Sequence, residues 1–181
     1  MRRDTVTSLT LAALAGILLS TGGCSADAVA ERAAEEAIER SLEDAGGGSA
    51  SVDVDLDAGG VTVDDGQGNT LQSGTGAEIP DDFPADIPLV DGLVVSGLST
   101  TDTTGSAGWN VNLDLAGADP RSVRDEAVAL LEDAGYVSTS STDFGETLGE
   151  VMVGPQWQVA VSIIGQPTST TVSYLVTTAA P

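Results

Sequence analysis

The sequence predicts an α+β fold: an antiparallel sheet of about five to six strands with one helix packed on one face (β-β-α-β-β-β), preceded by an N-terminal helix and a small β-ribbon. Three observations predict it. Trp109, Val111, Leu113 and Leu115 alternate with Asn110, Asn112 and Asp114, the period-2 pattern of a half-buried strand. A punctuated helix follows, with Asp119 at the N-cap, Pro120 at the first helical position and Gly135 just past the end. Four more strand-like runs come after it, at 137–144, 150–153, 157–164 and 171–177. A single helix among so many strands leaves most connections as hairpins, which makes the sheet antiparallel.

Composition narrows the function before any motif does. The 181 residues carry 28 acidic side chains against six arginines, with no lysine, no histidine and one cysteine, for a formal net charge of −22. Without histidine there is no imidazole dyad or imidazole metal site. One cysteine makes neither a disulfide nor a thiolate cage, and without lysine there is no Schiff base or P-loop. A polyanion of this size is repelled by DNA and RNA, so nucleic acid is not a partner. Serine and threonine are abundant, but a serine nucleophile needs a base, and only carboxylates are on offer. The composition points to a protein that is not an enzyme and carries no cofactor.

Residues 1–23 read as an export signal. Met1-Arg2-Arg3 is a short positive start, and residues 6–19 are uncharged and largely apolar, the length of a signal-peptide core. The run breaks at Ser20-Thr21-Gly22-Gly23, short of the roughly 20 apolar residues that span a bilayer. Leu19-Ser20-Thr21-Gly22-Gly23-Cys24 resembles the lipobox of bacterial lipoproteins, with Thr21 where leucine is commonest. The resemblance implies that the Cys24 thiol receives diacylglycerol and that cleavage makes Cys24 the first residue. Loss of Arg2, Arg3 and Asp4 then leaves four basic and 27 acidic residues, a net of −23. Such a chain has no polybasic patch for anionic lipid, so its expected membrane attachment is the lipid itself.

Residues 24–49 hold an Ala/Glu-rich helix, with Val29, Ala33, Ala34, Ala37, Ile38 and Leu42 near one stripe, closed by Gly46-Gly47-Gly48. Residues 50–72 form the ribbon: Val52, Val54 and Leu56 alternate with Asp53, Asp55 and Asp57 before a Gly59-Gly60 turn. Residues 73–92 are a proline-rich strap in which Ile79, Phe83 and Ile87 each precede a proline, and we expect it to run extended and to be stapled onto the domain by those three side chains, the alternative being a displayed partner-recognition segment. Residues 93–181 form the main domain. Its first strand is Leu93–Leu98, and Val123, Ala127, Leu130, Leu131 and Ala134 make the inward face of its helix. Trp109 and Trp157 open alternating apolar runs on their inward register, so both belong to the core. Tyr136, directly after Gly135, is placed to close the helix end.

Asp53, Asp55 and Asp57, with Asp64 at the twelfth position, are the metal candidates. A calcium loop wants glycine where Ala58 stands and glutamate where Asp64 stands. Alternation instead projects the carboxylates outward in a row, without a cage. The pairs Asp64-Asp65 and Asp81-Asp82 are the carboxylates that adjacency could couple.

The lipobox, the Ala/Glu helix with its Val-rich ribbon and the Ile-Pro-x-Asp-Phe-Pro-x-Asp-Ile-Pro strap resemble an uncharacterised actinobacterial-type lipoprotein family. That resemblance implies an extracytoplasmic location on the cell membrane and supplies no activity, cofactor or binding residues. The resulting expectation is a lipid-anchored envelope protein with a binding or structural role, its partner an envelope protein or glycan. A calcium-dependent surface module and a carboxylate-only hydrolase are the alternatives.

Overall fold

The computed structural model describes residues 27–44, 51–55, 59–74, 76–101 and 105–179. The elements are α1 (Asp27–Asp44), β1 (Ser51–Asp55), β2 (Gly60–Asp64), β3 (Thr70–Gly74), β4 (Leu93–Thr101), β5 (Ala107–Ala116), α2 (Pro120–Asp133), β6 (Val137–Asp143), β7 (Thr147–Val153), β8 (Trp157–Gly165) and β9 (Ser169–Thr178). All the described strands belong to one antiparallel sheet in the order β1-β2-β3-β4-β5-β9-β8-β7-β6.

This corrects the expected α+β fold with five to six strands. The fold is largely β: among the described residues, one nine-stranded sheet with two helices. The ribbon is not a preface to the sheet but its continuation, because β3 pairs with β4 from Thr70↔Ser99 to Ser73↔Ser96. An unpaired β4 edge would leave a row of backbone donors and acceptors, and the ribbon satisfies them. Period-2 alternation reports which face a residue takes, and is silent on which strand lies alongside.

The outer ribbon edge is covered in turn by α1. Glu35 Oε1 accepts from the Val54 N–H at 3.2 Å, and Glu39 Oε1 accepts from the Val52 N–H at 3.4 Å. Two glutamates one helical turn apart thus serve alternate outward N–H groups of an edge strand. Among the residues of α1 whose burial is described, Glu31, Ala34, Glu35, Ile38 and Glu39 are half-buried, whereas Ala33 and Ala37 of the expected stripe are exposed; Val29 and Leu42 of that stripe lie outside them.

α2 forms where its punctuation says it should. Asp119 is extended and accepts from the Ser122 N–H at 3.0 Å. At the other end Gly135 has φ 90°, its N–H reaches Glu132 O and the Tyr136 N–H reaches Leu131 O, both at 2.9 Å. This is a Schellman closure, and it needs a residue that tolerates positive φ. Val123, Ala127 and Leu131 are buried, Leu130 is half-buried and Ala134 is exposed. The Tyr136 ring then lies against Gly154, where a Cβ would come within 2.6 Å of it.

The core lies between α2, the strap and one face of the sheet. It is built from Val111 and Leu113 of β5, Leu148 and Met152 of β7, Val159, Val161 and Ile163 of β8, and Val172, Tyr174 and Val176 of β9. The repeated grammar of the strap produces repeated turns, not an extended run: Phe83 N–H bonds Pro80 O at 2.9 Å and Ile87 N–H bonds Pro84 O at 3.1 Å. Ile87 and Val90 are buried, Phe83 is half-buried, and Ile79 is 42% exposed. Phe83, Trp109 and Trp157 stack edge to face, at 6.4 and 5.2 Å between ring centroids. Gly97 lets the start of the strap cross β4, since a Cβ there would meet Glu78 O at 2.4 Å.

Candidate binding face

The helix and strap cover one face of the strands from β5 to β6, and the opposite face lies open. Strand register fixes what it presents. One row across β5, β9, β8 and β7 is Asn110, Leu175, Ala160 and Val151, and the next is Asn112, Ser173, Ser162 and Gly149. Ser140 and Thr142 of β6 extend these rows to the sheet edge. Among the outward positions of β5, β9, β8 and β7, Asp114 is the one charged residue. In a chain of net charge −22 this is an unusually neutral surface.

The polar side chains there are already ordered. Asn112 Nδ2 donates to Ser96 Oγ and to Asn110 Oδ1, both at 2.7 Å, and Asn110 Nδ2 donates to Ser173 Oγ at 3.1 Å. Beside this chain a trough of about 350 Å³ is lined by Asn110, Ser140, Gly149, Ala160, Ser162 and Leu175 among others. Its floor is made of small side chains, so a ligand can approach the sheet closely. Leu175 is 48% and Ile164 46% exposed on the same face. The trough is mostly aliphatic and hydroxylated; its one charged lining residue, Glu150, alternates with Gly149 and Val151 and turns its carboxylate to the helix side, where Ser138 Oγ donates to it.

On the helix side a second cavity of about 320 Å³ is lined by Arg124, Asp125, Val128, Glu132, Ser141 and Glu150 with Ala129. Glu150 is buried and accepts a hydrogen bond from Ser138 Oγ. Arg124 is held by Asp125 at 2.8 Å, and Arg121 pairs with Asp143 on the neighbouring strand.

The residues singled out from sequence fall elsewhere. Cys24 and Asp57 lie outside the described residues. Asp53 and Asp55 stand on the exposed positions of β1. Asp64 accepts from Gly66 N–H at 2.7 Å. For Asp65, burial favours the neutral form, but hydrogen bonds from the Asn69 side chain and from the Gln67 and Asn69 amides outweigh it and hold the carboxyl below its ordinary value. Both shape the β2–β3 turn. Asp82 accepts from Ser99 Oγ at 2.7 Å. Among the described residues no group of three His, Cys, Asp or Glu side chains is placed to hold a metal ion. Trp109 is buried and Trp157 half-buried, both on the covered face.

Sequence reading identified Asn110 and Asn112 as outward-facing and missed their partners. Ser162, Ser173 and Leu175 join them only because β9 and β8 insert between β5 and β7. The available signal was the outward parity of β8 and β9, where Ala160, Ser162, Ser173 and Leu175 are all uncharged.

Comparison of the chain with protein-family models, curated proteins and solved structures finds no match.

Proposed function

We propose that this chain is a lipid-anchored cell-envelope protein, held at the extracytoplasmic face of the membrane through Cys24, and that its sheet is a non-enzymatic binding module. The export signal and the placement of the sole thiol support the anchor. Among the described residues no helix is long and apolar enough to cross a membrane. The observation that carries the binding role is the nearly uncharged, uncovered face with its trough, set in a chain whose charge is otherwise overwhelmingly negative.

Detergent partitioning of cells expressing the native chain and Cys24→Ser tests the anchor. The native chain is expected in the detergent phase and the variant in the aqueous phase. Equal partitioning, or a mature product with an unmodified sulfur, overturns it. Sedimentation with envelopes from cells lacking the protein tests the module, with Ser162→Trp expected to abolish retention by filling the trough.

A further inference from the structure

Resting on the reading of the open face as a binding surface, we propose that its trough binds a neutral polysaccharide, with a pyranose ring seated over Gly149, Ala160 and Ser162. The chemistry of the lining selects this ligand class. A sugar hydroxyl is both donor and acceptor, and the trough together with the polar chain beside it, in which Asn112 and Ser96 flank the lining residues Asn110 and Ser173, offers both. Asn112 spends its two N–H donors on Ser96 and Asn110, which leaves its Oδ1 for a ligand. Asn110 has one N–H left after bonding Ser173, and the hydroxyls of Ser96 and Ser173 accept in the chain, which leaves their protons to donate. Because this chain of side chains is already fixed, little ordering cost falls on binding.

The apolar part of the face fits the other half of a sugar. A pyranose carries C–H faces as well as hydroxyls, and Leu175 and Val151 supply aliphatic walls beside the small floor. By register, large exposed apolar side chains collect on this face: Val137 at 65%, Leu93 at 63%, Leu175 at 48% and Ile164 at 46%. Phe144 is 80% exposed in the β6–β7 hairpin, one residue past Asp143, whose side chain turns to Arg121 on the helix side.

Charge excludes the rival ligands. A basic peptide or a cation meets no carboxylate on the open floor, because Glu150, which borders the trough, turns its side chain to the helix side and Ser138, and an anionic polymer is repelled by the chain as a whole. A second copy seated on this face would bury the leftover Asn110, Asn112 and Ser173 groups against their own likeness, leaving polar atoms unmatched.

The test is retention of the full-length, detergent-solubilised chain on insoluble α-glucan, insoluble β-glucan and crosslinked galactan, with a polyuronate gel as the anionic control. Retention on at least one neutral matrix, unchanged by added salt, is expected, with none on the polyuronate. Ser162→Trp and the Asn110→Ala/Asn112→Ala pair should lower retention by about tenfold or more while circular dichroism stays native. Retention that ignores these substitutions overturns the site. Failure on every neutral matrix, with envelope binding still lost in Ser162→Trp, overturns the glycan and leaves the binding module standing. Failure on the matrices and on envelopes alike removes both. A dimer in light scattering that Ser162→Trp dissociates assigns the face to a second copy and overturns the proposal.

Discussion

The phenol oxygen of Tyr174, at the centre of the sheet, accepts from the backbone N–H of Val90 at 3.2 Å. Both residues are buried, so one hydrogen bond fastens the strap to the core at a site water does not reach. Tyr174→Phe keeps the ring and strands the amide. The expected loss is about 1–3 kcal/mol, read as a lower urea midpoint with an unchanged slope.

Alkaline titration reads the same site. The chain has two tyrosines, Tyr136 and Tyr174, and both are buried. Burial pushes the Tyr174 phenol up to about 12, with the Val90 hydrogen bond acting against it, and burial also raises Tyr136, with Asp86 adding to it. A folded-state value above the unfolded one means that this stability is complete below pH 10 and is lost as pH climbs toward about 12. Tyrosinate absorbance at moderate alkalinity should therefore stay low and rise only together with the unfolding transition. Free ionisation near pH 10 in a protein that remains folded would contradict the packing.

At the acid end the sign reverses. Hydrogen bonding from the Ser122 amide holds Asp119 below its ordinary value, and the Arg121 hydrogen bond does the same for Asp143. Their contributions are present above the unfolded carboxylate value of about 4 and fade as pH falls through the lower folded values. Asp119→Asn and Asp143→Asn should each flatten the decline of the urea midpoint below that pH.

Gly154→Ala tests the end of α2. The new methyl group would meet the Tyr136 ring at 2.6 Å, and the ring is closed in. A destabilisation of about 1–3 kcal/mol is expected. In a Tyr136→Ala background the same substitution should cost markedly less, a coupling that a double-mutant cycle measures.

Hydrogen exchange tests the α1 edge. Glu39→Ala and Glu35→Ala each remove the acceptor of one β1 amide. Exchange at Val52 and Val54 respectively should accelerate by about tenfold or more, since bonds to charged acceptors are worth roughly 1.5–3 kcal/mol. Amides of β8 and β9 should keep their protection.

The elements were more legible than their neighbours. The alternation from Trp109 to Leu115 and the Asp119, Pro120 and Gly135 punctuation are local, because each residue's role depends on chain partners a few positions away. The β3–β4 pairing is not, because nothing in Thr70–Gly74 or Leu93–Thr101 encodes which edge it will meet. The close crossing at Gly97 is equally hidden, since it depends on Glu78 arriving from another segment. The open face stood between these cases: Asn110 and Asn112 declared their side, while the trough needed the order β5-β9-β8-β7 to exist.

That order also dictates when the molecule can form. β5 and β9 join the ribbon half of the sheet to the helix half through nine register pairs, Gly108↔Thr177 to Ala116↔Ser169. β9 is made after every other described strand, so the seam cannot close before Ser169–Thr178 has been synthesised. The ribbon half and the helix half of the sheet therefore remain unjoined until β9 arrives to bridge them.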